Sequence, residues 1–209
     1  MTLFEVGVVI AVLMVLALII LPTIRDPHGI SKAPRIVCVN NLRQICLAYR
    51  IWEGDNGDKY PMGVSVTNGG SMELVATGNV VQSFLVMTNE LSTPKILFCP
   101  ADTTRTMANS FASPVGNSNI SYFVGVDVTN DINPQMILSG DDNFEIRGVP
   151  VKSGLLELPT NAPVVWTAAR HKLAGNIGLA DGSVQEVTQY GLQQAFQQTG
   201  LATNHFALP

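Results

Sequence analysis

Residues 1–24 read MTLFEVGVVIAVLMVLALIILPTI, and this stretch decides how the chain is organised. The nineteen residues from Val6 to Ile24 carry no charge. As a helix they would extend about 28 Å, which is enough to cross the hydrocarbon of a bilayer. A cleavable signal peptide would need a basic stretch before the apolar run and a small-residue cleavage site after it, and neither is present. We therefore expect the segment to be retained as an apolar, membrane-inserting helix.

Glu5 lies at the start of this apolar run, where a plain membrane anchor gains nothing from a carboxylate. A carboxylate that enters hydrocarbon without a partner is costly, and the α-amino group of an adjacent chain could neutralise it. Glu5 therefore indicates assembly with other copies of the chain rather than anchoring alone.

The remainder of the 209 residues is long enough for one domain with a sizeable core. Charged residues make up only 13% of the chain, with 12 basic against 16 acidic side chains. No basic surface is offered to phosphate groups, so the composition argues against nucleic acid as a partner.

Three cysteines are present, Cys38, Cys46 and Cys99, and none forms a C-x-x-C pair. The three histidines are also far apart in the sequence, so the spacing predicts no structural zinc site. In an oxidising compartment three cysteines allow one disulfide and one remaining thiol. The spacing does not determine which two are bonded.

A breaker-rich stretch follows the apolar run and contains Asp26, Pro27, His28, Gly29 and Pro34. Each proline removes a backbone donor and disfavours helix at the preceding residue. We expect the first helix to end or bend between residues 22 and 34, with at least part of that segment non-helical in the assembled state. The predicted organisation is an apolar helix over 1–24, a hinge over 25–34 and a globular head over 35–209.

The head begins with a helical pattern over residues 35–52, in which apolar side chains recur at steps of three and four: Cys38, Leu42, Ile45, Tyr49 and Trp52. We also expect a helix over 80–91, a surface loop over 103–118 and a C-terminal helix over 191–199. Strands are predicted at 95–99, 121–128, 135–139, 164–168, 176–180 and 183–187, the last two joined by the hairpin signal Asp181–Gly182. The predicted fold class is α+β, with the second helix packed on an antiparallel sheet.

The N-terminal stretch resembles the mature N-terminus of type IV pilins and type II secretion pseudopilins, with hydrophobic Met1, Thr2, Glu5 and Pro22 at that family's positions. The resemblance implies a pilin-like fold and a Met1 that follows a leader removed by a prepilin peptidase and is N-methylated. It implies a structural subunit of a filament whose core is formed by the apolar helices, with Glu5 paired to a neighbour's N-terminus. The implied partners are other copies of the chain, an inner-membrane assembly platform, the peptidase and, before assembly, the inner membrane. The filament would be an extracellular pilus or a periplasmic pseudopilus.

A second resemblance lies in RHKLAGNIGLADGSV, residues 170–184, where His171 is followed by nine residues and then Asp181 and Gly182. This is similar to the H-x9-DG signature of a pilin-like family, and CVNNLRQICLAYR at 38–50 and CPAD at 99–102 resemble that family's other landmarks. Because Cys38 and Cys99 hold landmark positions, the resemblance implies that they form the disulfide. Cys46, where relatives more often carry glycine, would then be the remaining thiol.

His171 and Asp181 could form a metal or catalytic pair, or they could be a hydrogen-bonded histidine and a turn aspartate that steady a hairpin. We favour the second interpretation, because turn geometry already explains Asp-Gly. No serine-nucleophile elbow, HExxH motif or phosphate-binding glycine loop occurs, so we expect no enzyme and no cofactor. The alternatives are an anchored binding or adhesion domain that uses loop 103–118, a minor pseudopilin, and a tethered hydrolase that uses His171 and Asp181.

Oxygen ligands of the kind calcium prefers occur in two places: Glu53, Asp55, Asn56 and Asp58 in one glycine-containing loop, and Asp141 with Asp142 in another segment. Some pseudopilins hold a C-terminal loop with calcium, but no matching motif is present here. The first loop also lacks the twelve-residue calcium pattern, so a solvated acidic turn is expected and no metal ligand is assigned.

Overall fold

The computed structural model describes residues 3–24 and 27–209. The chain forms two compact units, Met1–Pro34 and Arg35–Pro209. Helix α1 spans Leu3–Ile24, which confirms the predicted N-terminal helix. Its described side chains, residues 4–18, are all exposed, and Phe4 is 80% accessible. Within the described part of the chain, no helix meets the length and hydropathy needed to cross a membrane.

Helix α1 ends at Ile24 and helix α2 spans Pro27–Asp55, so residues 27–34 of the predicted hinge are helical. Pro27 is the first residue of α2, where its missing N–H would have no intrahelical acceptor and its fixed φ suits the helix. Pro34 lies inside α2 and removes one helical hydrogen bond, a loss that the turns on either side tolerate. Pro22 likewise lies within α1. Residues 25 and 26, the rest of the predicted hinge, lie outside the described residues.

The head contains nine strands: β1 Tyr122–Gly125, β2 Ile137–Asp141, β3 Phe144–Ile146, β4 Val149–Pro150, β5 Gly154–Pro159, β6 Val164–Trp166, β7 Ala174–Leu179, β8 Val184–Thr188 and β9 Thr203–Leu208. A six-stranded sheet has the order β5-β9-β1-β2-β7-β8, and a three-stranded sheet has the order β4-β3-β6. Every pairing is antiparallel. The α+β class with antiparallel sheets is therefore confirmed.

The remaining helices are short: α3 Met72–Val75, α4 Val80–Leu85, α5 Thr88–Leu91 and α6 Gln189–Gln198. The predicted helix over 80–91 is thus two helices, and the predicted C-terminal helix is α6. The strand predicted at 95–99 is wrong, because Pro94–Leu97 is a 3-10 helix that starts on proline and is capped by the hydroxyl of Thr93. Strands β3, β4, β5 and β9 were not predicted. The loop over 103–118 has no strand or α-helix, as expected.

The six-stranded sheet separates two cores, because successive strand residues point to opposite faces. On one face the predicted stripe of α2 is buried, and its members are Cys38, Leu42, Ile45, Tyr49 and Trp52. Helix α2 lies directly on β7, where a Cβ added to Gly178 would lie 2.2 Å from the sulfur of Cys46. The other face buries an aromatic cluster made of Phe123, Phe144, Trp166, Phe196 and Phe206.

Candidate functional site

The two ends of the H-x9-DG stretch lie in different surroundings. Asp181 and Gly182 form the turn between β7 and β8, where Gly182 has a φ of 85° and the backbone N–H of Ser183 donates to Asp181 Oδ1 at 2.8 Å. That left-handed φ explains the glycine. Among the described residues, no hydrogen bond or ion pair joins His171 to Asp181. The turn therefore accounts for Asp181 without a metal or a catalytic step.

His171 instead faces the disulfide and a buried acid. Its Nε2 lies 3.3 Å from Cys99 Sγ and 3.6 Å from Asp141 Oδ2, and its side chain is 1% accessible. Burial lowers the pKa of His171 to about 4, and the charges of Arg35 and Arg170 act in the same direction. The imidazole is therefore neutral at pH 7.

The disulfide joins Cys38 on α2 to Cys99, two residues beyond the 3-10 helix Pro94–Leu97, with 5.2 Å between the Cα atoms. This is the pair that the family landmarks imply. Cys46 is the free cysteine and is fully buried. Burial, and to a lesser extent the charge of Asp181, raises the pKa of the Cys46 thiol to about 12. Because the thiolate is the reactive form, Cys46 is a packing residue.

A strained turn carries the imidazole to this position. His171, Lys172 and Leu173 have φ values of 52°, 54° and 63°, three consecutive non-glycine residues in the left-handed region. Each such residue costs roughly 1–2 kcal/mol, so the surrounding structure must hold the turn in place. Arg170 provides part of that hold, because its Nη1 donates to the carbonyl of Ser121 at 3.1 Å.

Arg170 also belongs to a buried network of four charges with Asp102, Arg105 and Asp142. Arg105 bridges the two acids, at 3.0 Å to Asp102 and 2.5 Å to Asp142. Arg170 pairs with Asp142 and lies 3.5 Å from Asp102. These residues line a cleft of about 280 Å³ between the start of loop 103–118 and the segment after β2. Since the charges pair with one another, the cleft offers no net charge to a ligand.

Asp141 is the least satisfied acid of the site. It is fully buried, and its Oδ2 accepts hydrogen bonds from the backbone N–H and side-chain amide of Asn176 at 2.7 and 2.8 Å. Its Oδ1 has no hydrogen-bond partner among the described residues. Burial raises the pKa of Asp141 to about 6, although Arg170 and Asn176 oppose the shift. A buried carboxylate oxygen without a partner is costly and marks a position where a ligand would be stabilised.

The calcium alternatives do not form clusters. Asp141 and Asp142 make separate contacts, the first with Asn176 and the second with two arginines. In the acidic loop, Glu53 is buried and pairs with Arg50 at 3.1 Å. Among the described residues, the one group of three or more His, Cys, Asp or Glu side chains within metal-binding reach is Cys38, Cys99 and His171.

The comparisons with known proteins add nothing to this geometry. No protein-family model matches the chain, and no curated protein or solved structure is significantly similar to it. The site is therefore interpreted from its residues. The tethered-hydrolase alternative requires a nucleophile beside His171. The sulfur beside its imidazole, Cys99 Sγ, is bound in the disulfide and is not a free thiol.

The predicted assembly residues belong to the N-terminal unit. Glu5 lies in the first turn of α1 and is exposed, Pro22 lies near the end of α1, and Met1 lies outside the described residues. Further along α1, an apolar groove is lined by Val8, Ala11, Val12, Val15 and Leu16.

In the sequence, Asp141, Asp142 and His171 are candidates in separate stretches, and Asp102, Arg105 and Arg170 are not predicted as site residues. One signal was present. In a chain with so few charges, Asp102 lies in CPAD and Arg170 directly precedes His171, so both fall in stretches already singled out.

Proposed function

We propose that this chain is a structural subunit that polymerises into a type IV pilus-like extracytoplasmic filament. The apolar helices would bundle in the filament core while the heads pack outside, and no reaction is catalysed. The pilus and the secretion pseudopilus share this chemistry and differ in partners and length.

The observation that carries the proposal is the surface of α1. Its described side chains, residues 4–18, are exposed, and apart from Glu5 and Gly7 they are hydrophobic on every side of the helix. A helix that is hydrophobic all round needs apolar surroundings, which lipid or other copies of the same helix can supply. We infer that lipid of the inner membrane covers this surface before assembly. After assembly, neighbouring α1 helices in the filament core would cover it.

Glu5 adds a reason for assembly in one register. Packing apolar helices side by side in lipid provides little drive to choose one axial position over another. An amine and a carboxylate that meet in a low-dielectric core penalise misregistered packing, because a charge left without its partner costs about 3 to 5 kcal/mol. We propose that Glu5 of one subunit pairs with the N-terminal amine of a neighbour.

The test is the Glu5→Leu variant. We expect it to insert into the membrane as well as the wild type, because the apolar run becomes more hydrophobic. Filament formation should be abolished or severely slowed. The measurement is a membrane fractionation followed by counting filaments in electron micrographs.

Two controls accompany this test. Val8→Leu changes the same helix without touching a charge and should leave filament number unchanged, and Glu5→Asp should restore part of the assembly. Wild-type filament numbers from a correctly processed Glu5→Leu chain would show that Glu5 does not register the subunits. If the wild type itself forms no filaments, the alternative of an anchored binding or adhesion domain replaces this proposal.

A further inference from the structure

We propose that the reduced head binds one zinc ion, with the thiolates of Cys38 and Cys99 and the Nε2 of His171 as ligands. In the oxidised chain the same sulfurs form the disulfide, so zinc binding and disulfide formation exclude one another. This site is independent of filament assembly.

The first support is distance. The two sulfurs and the imidazole nitrogen all lie within 4.8 Å of one another, with 3.3 Å between Cys99 Sγ and His171 Nε2. Around a tetrahedral zinc, ligand atoms at the usual bond lengths lie about 3.5 to 3.8 Å apart. Once the disulfide is reduced, its sulfurs must separate toward this spacing, so only small side-chain shifts are needed.

The second support is the buried acid beside the imidazole. Asp141 Oδ2 lies 3.6 Å from His171 Nε2, and Asp141 Oδ1 has no hydrogen-bond partner among the described residues. Asn176 holds Oδ2 in this position with two hydrogen bonds. Asp141 lies outside the group of three whose ligand atoms are all within 4.8 Å of one another, so it is a neighbouring negative charge and water would be the fourth ligand. A zinc ion held by Cys38, Cys99 and His171 would be stabilised by this buried carboxylate.

The third support is that the site is built in advance. The left-handed turn over His171, Lys172 and Leu173 fixes the imidazole, and Arg170 ties that turn to Ser121 and Asp142. None of these contacts depends on the disulfide. The cysteine and histidine side chains are almost fully buried, so water competes little for the metal. The charge of the Zn²⁺ ion balances the charges of the two thiolates.

The redox step balances with a phosphine reductant. The phosphine supplies two electrons, the S–S bond breaks, and the phosphine becomes a phosphine oxide with oxygen taken from water. The two protons of that water go to the two sulfurs. Zinc then displaces both thiol protons to the solvent as it binds.

The experiment uses the full chain in detergent under anaerobic conditions, with and without a phosphine reductant. Zinc is added with a chromophoric competitor, and bound metal is measured after desalting. We expect one zinc per reduced chain and none bound by the oxidised chain. Cobalt in place of zinc should give a near-ultraviolet thiolate-to-cobalt charge-transfer band together with the visible bands of a tetrahedral site.

Variants assign the ligands. His171→Ala should lose the stoichiometric zinc, His171→Cys should restore it, and Asp141→Asn should weaken zinc binding about 10- to 100-fold. Cys46→Ala and His205→Ala are matched controls that should keep one zinc. Circular dichroism checks the fold of each variant.

Three results would overturn the proposal: no zinc on the reduced wild type, unchanged affinity in a folded His171→Ala chain, or a cobalt spectrum without thiolate charge transfer. The cobalt spectrum needs only the wild-type chain. It therefore tests whether thiolates bind the metal even if a variant fails to fold.

Discussion

At the scale of single residues, the head is organised around a few buried charges. Asp102, Asp142 and Arg170 are each less than a tenth accessible, in a chain where only 13% of residues are charged. Buried ions are tolerated when they are paired, and removal of one partner leaves an uncompensated charge that costs about 3 to 5 kcal/mol. Arg170 directly precedes His171, so the ion network also holds the left-handed turn.

Asp102 gives the network a dependence on pH. Burial alone would raise the pKa of Asp102, but hydrogen bonds from Thr104 and Ser121 and the charge of Arg170 outweigh it and hold the pKa at about 2. The pKa in the unfolded chain is near 3.8, so the folded state gains about 2 kcal/mol once Asp102 is ionised. This stability is fully present above pH 5 and is lost as the pH falls through 2.

We therefore expect the difference in unfolding free energy between the wild type and Asp102→Asn to shrink by about 2 kcal/mol between pH 5 and pH 2. The measurement is urea unfolding followed by circular dichroism across that range. Glu186→Gln is the matched control, because Glu186 pairs with Arg35 on the surface and should contribute less than about 1 kcal/mol. A difference for Asp102→Asn that stays constant with pH would show that the carboxylate is not held in its ionised form.

At the scale of elements, the contact between α2 and β7 fixes the position of the second helix on the sheet. Gly178 allows α2 to approach so closely that a Cβ there would lie 2.2 Å from Cys46 Sγ. A one-residue shift of β7 would place a larger side chain under Cys46. Gly178 therefore sets the register between α2 and β7, because it has no side chain to prevent the close contact.

We expect Gly178→Ala to destabilise the head by about 1 to 3 kcal/mol, because the added methyl overpacks the core. In a Cys46→Ala background the same substitution should cost at least about 1 kcal/mol less, because the sulfur it meets is gone. Gly54→Ala is the control: a Cβ there meets nothing within 4 Å, and alanine favours the helix by about 0.5 kcal/mol. The measurement is a double-mutant cycle by urea unfolding, and additive effects would show that the close contact is relieved elsewhere.

At the scale of the whole molecule, the disulfide is the covalent link between α2 and the segment that leads into the sheet. It closes a loop with a sequence separation of 61 residues. In the chain-entropy account, closing a loop of this length lowers the conformational entropy of the unfolded state, which stabilises the folded state by about 4 kcal/mol. The link therefore stabilises the head independently of its packing.

Reduction without metal should lower the unfolding free energy of the chain by about 2 to 4 kcal/mol. The comparison is between the oxidised chain and the chain in phosphine with a chelator, both unfolded in urea. Cys46→Ala should show the same loss on reduction, because Cys46 takes no part in the bond. An equal midpoint before and after reduction would mean that the unfolded chain is already compact.

The head should also fold without the N-terminal unit. Among the side chains that the structure describes, those at residues 4–18 and 34–209, the buried members of both cores come from within Arg35–Pro209. We expect a chain of residues 35–209, oxidised at Cys38 and Cys99, to unfold cooperatively and to form no filaments. Calorimetry and electron microscopy measure the two outcomes. Loss of cooperative unfolding would show that the segment before residue 35 is part of the folding unit.

The sequence by itself determined the features that depend on local pattern. The apolar run predicts α1, apolar spacing predicts the buried face of α2, and Asp181–Gly182 predicts the β7–β8 hairpin, because helix periodicity and turn geometry act over a few residues. The prolines between residues 22 and 34 gave a misleading signal. Pro27 is the first residue of α2, and a proline at that position is compatible with a helix.

Only the tertiary structure decided what lies beside His171. The imidazole meets Cys99 and Asp141, which are 72 and 30 positions away, and Arg170 meets Asp102 and Asp142 across similar distances. Strand β9 was not predicted, because its partners β1 and β5 come from distant parts of the chain. Strand order and the packing of α2 on the sheet are long-range choices. Local propensity carries no information about strand order or about where α2 packs. Burial of the whole core determines both.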